Sequence, residues 1–181
     1  QKLNIKTMLK HDTQSAIIGE HHFGLAKNKE NVLVVNMDWG IGLGILVNGQ
    51  VVHGSSGFAG ELGHIQVVQD GELCRCGKKG CLETEASGWA LTRKVAKILL
   101  NEGKTSILSS KKENLKLEDI IDAALKGDEF SIDLIFEIGR ELGKGLSIAI
   151  HMFNPEVIII DGILTNAGDL IVSTLTQAIN K

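Results

Sequence analysis

Apolar and polar positions switch between a helical and an alternating period along the chain, and the switches mark its elements. Residues 12–23 open on Asp12-Thr13-Gln14-Ser15 and run into Ala16, Ile17 and Ile18 at helical spacing, which predicts a helix with its N-cap near Asp12. Residues 4–9 read as a strand ahead of it. The β-branched run at 31–37 predicts a buried strand. Residues 44–47 and 50–52 flank Asn48-Gly49, the pair that supplies two positive-φ positions to a tight hairpin turn. From 54 to 88 the periodicity fades, glycine is dense and all three cysteines occur. Such a stretch predicts a loop-dominated insert that something other than a core must order.

Helical periodicity returns at 89–100, 117–125 and 132–152, and in the last of these Gly139, Gly143 and Gly145 would let another helix approach closely. Asn154-Pro155 ends that helix. Val157-Ile158-Ile159-Ile160 predicts a second buried strand and 167–179 a closing helix. The fold class expected is α/β, without internal repeats or low-complexity tracts.

The 181 residues are 43% apolar and 23% charged, a balance that builds a core and excludes a disordered tail. With 19 Lys and Arg against 22 Asp and Glu, the net charge of −3 gives this segment no footprint for a phosphate backbone, so contact with DNA would have to come from elsewhere. No apolar run reaches the ~18–20 residues of a membrane span and the first ten residues lack a secretion signal, so a cytoplasmic location and no membrane partner are expected. The chain opens on Gln1, directly in a patterned segment, which suggests a piece of something longer.

Three cysteines cannot be consumed by internal disulfides. His64, Cys74, Cys76 and Cys81 follow the spacing H-x9-C-x-C-x4-C, with Gly71, Gly77 and Gly80 allowing the backbone to fold tightly around them. One imidazole and three thiolates make a closed tetrahedral zinc set with no open position for water, so the metal's expected role is to hold the loop. Lys78 and Lys79 would offset thiolate charge. Ordinary buried thiols are the alternative, although Arg75, Lys78 and Lys79 make this a poor apolar site. A redox pair is another, although Cys74-x-Cys76 is tighter than C-x-x-C.

Glu61-Leu62-Gly63-His64 followed by Cys74-Arg75-Cys76-Gly77-Lys78-Lys79-Gly80-Cys81-Leu82-Glu83 resembles the ROK family of repressors, uncharacterised proteins and sugar kinases. The likeness covers essentially the whole chain. His11-Asp12 falls where the family's kinases carry Asn-Asp, and Asp38-Trp39-Gly40-Ile41-Gly42-Leu43-Gly44 where they carry a Gly-Thr-Gly phosphate loop. The resemblance implies an actin-like, RNase H-type fold of two lobes with a sugar between them. This chain then reads as a fragment: 1–30 an interlobe segment and helix, 31–181 most of the second lobe with its zinc loop at 54–88.

The resemblance also implies that Asp12, Glu61, His64 and Glu83 contact the sugar, Asp12 being the catalytic base in kinases and His64 serving the zinc as well. Taken alone, Asp12 would be a helix cap, Glu61 a solvated acid and Glu83 a first-turn acid favoured by the helix dipole. His21-His22 read as a helix face, Lys111-Lys112 as a solvated loop and Trp39 as a packing residue.

Two departures separate enzyme from sensor. Asp38-Trp39, before Gly40, puts a carboxylate and a bulky ring where a triphosphate would pass, and Ile160-Asp161-Gly162-Ile163 adds an acid and a branched side chain near the expected nucleotide site. No nucleotide is therefore expected, and His11 also resembles the repressor branch. The expectation is the effector-binding, dimerising domain of a sugar-responsive transcriptional regulator, its ligand a sugar or sugar phosphate and its DNA contacts in a helix-turn-helix outside this chain. An ATP-dependent sugar kinase with Asp12 as general base is the alternative, and a zinc-ordered dimerisation module without ligand is a third.

Overall fold

A computed structural model describes residues 5, 7, 9–101 and 105–180, without the side chains of Lys112 and Glu113. Of the strand expected over 4–9 only residues 5, 7 and 9 are described, none of them in a strand, and the rest lies outside the described residues. Helix α1 spans Asp12–Phe23. His11 is its N-cap and makes no side-chain cap bond, so the expected cap moves by one residue. Asp12 is instead the first helical residue, where an acid suits the positive end of the helix dipole; its Oδ1 accepts from Thr13 N–H at 2.7 Å.

Strands β1 (Val32–Met37), β2 (Ile41–Val47), β3 (Gln50–Val51) and β4 (Val157–Asp161) form one sheet in the order β3-β2-β1-β4. β1 and β2 pair antiparallel, with Leu33 opposite Ile45, and β1 and β4 pair parallel, with Val34 opposite Ile159. Asn48 (φ 50°) and Gly49 (φ 72°) make the hairpin turn with both central residues in the left-handed region, as predicted.

β1 is central, and both of its faces are covered. Val32 and Val34 pack with Leu46, Ile159 and Ile17 of α1, whereas Leu33, Val35 and Met37 face the larger core built on the helices beyond the insert. The period of two thus feeds two cores, which is why the strand reads as a continuous apolar run. The expectation of a buried β4 holds only at Ile159. β4 is an edge strand among the described residues, so Val157, Ile158 and Ile160 are only partly covered.

Helices α2 (Leu82–Ala86), α3 (Gly88–Asn101), α4 (Leu117–Leu125), α5 (Glu129–Phe153) and α6 (Asp169–Ile179) complete the element order. A Cβ on Gly139 would lie 2.9 Å from Thr174 Cβ, and one on Gly143 2.3 Å from Ala178 Cβ, so both glycines let α6 seat closely on α5. Gly145 performs the same service for α2, whose Leu82 Cδ2 would be 2.4 Å from an added Cβ. α5 ends at Asn154, which takes the left-handed conformation (φ 43°) before Pro155. Lys111 belongs to a 3-10 segment, Ile107–Asn114, rather than a loop, and pairs with Asp119. His21 is half-buried and His22 exposed on α1.

Asp128 begins α5. Its carboxylate accepts from Ser131 N–H and Oγ–H at 3.0 and 2.7 Å, from Ser106 Oγ–H at 3.0 Å and from Ile107 N–H at 3.1 Å. Burial pushes this carboxyl up, but the donors outweigh it and hold it below the usual range. A carboxyl depressed in the folded state adds stability above its unfolded value, ~3.9, and loses it as pH falls through the folded value. Asp128→Ala is expected to cost about 1–2 kcal/mol at pH 7 and much less near pH 2. Urea midpoints at the two pH values check this, and an equal loss at both contradicts it.

Candidate functional site

The insert folds as loops with a 3-10 turn at Leu62–His64 and α2 at its end. Cys74 N–H donates to Lys78 O at 2.7 Å and Gly77 N–H to Cys74 O at 2.9 Å, which turns the chain back on itself around the second cysteine, Cys76. Gly80 has φ 68°, and a Cβ there would sit 1.8 Å from Val68 O, so only glycine closes this turn.

The turn aims four ligand atoms at one point. His64 Nδ1 lies 3.5 Å from Cys74 Sγ, Cys76 Sγ lies 3.6 Å from Cys81 Sγ, and all four atoms fall within 4.8 Å of one another. With Zn–S near ~2.3 Å and Zn–N near ~2.0 Å, the edges of a zinc tetrahedron are roughly 3.5–3.8 Å. These two distances match that, and His64, Cys74, Cys76 and Cys81 together could hold a metal ion. No other such group of three or more occurs among the described residues.

The acid–base chemistry points the same way. Burial pushes the Cys81 thiol up to about 12, and the neighbouring sulfurs add to the effect. The backbone at Lys78 lowers Cys76 through a hydrogen bond. Cys81 thus holds its proton until a cation displaces it. Lys78 Nζ donates to His64 O at 2.6 Å, so it braces the cluster rather than only offsetting its charge.

His64 turns its other nitrogen the opposite way. Nε2 lies 3.6 Å from Glu61 Oε2, at the wall of a cleft of about 360 Å³ that Asp12, Glu61, His64 and Glu83 all line. Asp12 is 81% exposed, and His11 Nδ1 lies 2.9 Å from its Oδ1 and 2.9 Å from Thr13 Oγ1. Glu83, in the first turn of α2, accepts from Ile41 N–H at 3.2 Å through Oε2, leaving Oε1 without a partner among the described residues. Glycines make this approach possible: a Cβ on Gly40 would be 2.6 Å from Glu83 Oε2, and one on Gly60 (φ 92°) 2.0 Å from Leu43 O.

Other cleft residues carry no motif. Thr13 and Asn36 line the cleft beside Asp12. Trp39 lines it too and is 53% exposed, so the expectation of a packing residue is overturned; the turn after β1 lifts its ring out of the core. Gln14, 8% exposed, receives a hydrogen-bond partner in His53 at 3.0 Å and donates to Gly57 O at 3.1 Å, which fastens the loop before Gly60 onto α1. A buried polar residue inside an apolar helix face was the available signal for that role.

The two expected departures from a phosphate site meet in space. Asp38 Oδ1 accepts from Ile163 N–H at 2.5 Å, and Asn36 Nδ2 donates to Asp38 Oδ2 at 3.3 Å. Asp161 Oδ1 accepts from Gly162 N–H at 2.7 Å. The carbonyls of Asp38 and Trp39 accept from Gly88 and Trp89 N–H, the first donors of α3, at 2.9 and 3.2 Å. Asp38 is therefore not a free repelling charge. It clasps the turn after β1 to the exit of β4. No helix among the described residues is long and apolar enough to cross a membrane.

The model of the ROK family matches residues 1–181. The chain is 37% identical over 180 residues to the DNA-binding transcriptional dual regulator NagC of Escherichia coli K12, covering 99% of this chain and 44% of that protein. It is 31% identical over 181 residues to a glucokinase of Thermotoga maritima, covering 96% of this chain and 56% of the relative. Among solved structures, a ROK family transcriptional regulator described as a homologue of the E. coli Mlc protein superposes with a TM-score of 0.88 at 37% identity, covering 94% of this chain and 43% of that one. A Streptomyces griseus glucokinase in complex with glucose and AMPPNP superposes with a TM-score of 0.85 at 31% identity, covering 94% and 56%. The chain thus spans about half the length of the relatives it matches. Its sheet and covering helices are those of the actin-like ROK fold, and the chain belongs to the ROK family.

Proposed function

We propose that this chain is the effector-binding part of a ROK transcriptional regulator, with a sugar or sugar phosphate held by Asp12, Glu61, His64 and Glu83. Residues 1–30 serve as interlobe segment and helix, and 31–181 as most of the second lobe. DNA contact belongs to a region outside this chain, in keeping with the net charge of −3. The functional unit is a homodimer or higher homo-oligomer in which the ligand shifts the populations of two lobe arrangements.

The observation that carries the reading is the Asp38 clasp. A phosphate loop works by leaving backbone N–H groups free for an anion. Here Ile163 N–H is taken by Asp38, Gly162 N–H by Asp161, and the first N–H groups of α3 by the carbonyls of Asp38 and Trp39. A nucleotide would have to break these bonds and displace two carboxylates.

The carboxylates of the cleft suit sugar hydroxyls as acceptors. Zinc, when bound to His64, Cys74, Cys76 and Cys81, supplies a fixed ligand geometry and no open coordination position. His64 with Nδ1 committed to the cluster keeps its proton on Nε2, so it donates toward Glu61 and the cleft rather than accepting. The cluster thereby fixes a hydrogen-bond direction in the cleft.

The second reading is a sugar kinase. It is favoured by the exposure of Asp12 beside His11, which leaves this carboxylate able to take a hydroxyl proton, and by the glucokinases among the relatives. Calorimetry of the full-length protein with glucose, N-acetylglucosamine and their 6-phosphates, run beside an ADP-release assay with Mg-ATP, separates the two. The expected result is saccharide binding without ADP release. Saccharide-dependent ADP production would overturn the regulator reading.

A further inference from the structure

A pocket of about 210 Å³ shares Trp39, Gly40 and Glu83 with the cleft and is otherwise walled by Arg75, Thr84 and Trp89 beside Cys74. Arg75 is exposed and has no ion pair or hydrogen bond among the described residues, and the indole N–H of Trp39 is equally without a partner. We infer that this pocket is a second saccharide subsite, so that the effector is a neutral disaccharide or the end of a longer glycan, with Trp39 as the platform between its two rings. The inference rests on the sugar reading of the first cleft.

Trp39 is 53% exposed and lines both pockets, so its indole offers apolar surface where they meet. The C–H face of a pyranose covers such a surface without stranding hydroxyls, which remain at the ring's edge for polar partners. Arg75 supplies donors in a planar fork that matches two adjacent oxygens, and Glu83 Oε1 supplies an acceptor reachable from both pockets. Gly40 puts no side chain between them. The Glu83 carboxylate also argues against an anion here, because a phosphate held by Arg75 would face a like charge across the same pocket. Neutral hydroxyls meet no such cost.

Calorimetry of the full-length protein with glucose, maltose and cellobiose, and with N-acetylglucosamine and chitobiose, tests the inference. At least one disaccharide is expected to bind about tenfold or more tightly than its own monosaccharide. Arg75→Ala is expected to erase that advantage while monosaccharide affinity stays within about twofold, and circular dichroism and metal content match wild type. Trp39→Ala is expected to weaken the disaccharide by about tenfold or more. Equal affinity for mono- and disaccharide, an Arg75→Ala variant that keeps the advantage, or an Arg75-dependent gain for a 6-phosphate alone would overturn the subsite. Failure of every saccharide to bind would refute the reading of the first cleft, whereas monosaccharide binding without a disaccharide gain refutes only the second.

Discussion

Cys81→Ser is expected to remove the metal proposed for the cluster and to lower the thermal midpoint by roughly 8–16 °C, the shift expected when a chain of this size loses roughly 4 kcal/mol. The sum is smaller than the whole binding energy of a structural zinc because the sheet and helices have cores of their own. The loop has much less. Cys76, Arg75, Gly77, Lys78 and Lys79 are all exposed, and between Leu73 and Lys79 only one isolated bridge and a few turn bonds hold the backbone. Because Cys81 is fully buried, its substitution also perturbs packing, and Cys76→Ser separates the two effects since Cys76 is exposed. Elemental analysis is expected to read about one zinc per chain in wild type and near zero in both variants, with calorimetric midpoints falling together. Metal retained in Cys76→Ser, or a midpoint within about 2 °C of wild type, would refute the zinc assignment.

On the proposed sugar reading, Asp12→Ala is expected to weaken saccharide binding by about 10–100-fold and to leave the thermal midpoint in place. The first half follows from a charged acceptor lost from the cleft, where a hydrogen bond to an ionised group contributes about 1.5–3 kcal/mol. The second follows from exposure: Asp12 is 81% accessible and its one backbone bond reaches only its neighbour Thr13. Glu83→Ala is the informative contrast. It removes a sugar acceptor and also the partner of Ile41 N–H, so both affinity and stability fall. An Asp12→Ala variant that binds saccharide as wild type does would remove Asp12 from the site.

The helices and strands were legible wherever an apolar period ran long enough to be seen. The Leu117–Leu125 helix and the Asn48-Gly49 hairpin follow directly from it. Short or relational features were not legible. α2 spans five residues, too few for a period, and the edge position of β4 depends on sheet order, which local pattern does not carry. In the site, the cysteine spacing pointed to a cluster and the structure brings its four side chains together. The family motif named four cleft residues, and all four line one cavity. What no local reading supplied was the exposure of Trp39 or the engagement of Asp38 with Ile163, the second because its partners meet from 125 positions apart.

That distance also orders the assembly of the molecule. The two bonds that gather the cluster, from Cys74 and Cys81 to His64, close loops of 10 and 17 residues, whereas β1 finds β4 only after 125 intervening residues have been brought into place. Loop closure grows costlier with length, and distant pairings are the slow ones. The β1-β2-β3 meander and the loop of cysteines are thus expected to form early, and each is complete within the first half of the chain. β4, whose Ile159 completes the smaller core with Val32, Val34 and Ile17, is expected to join late, and the clasp from Asp38 to Ile163 forms with it.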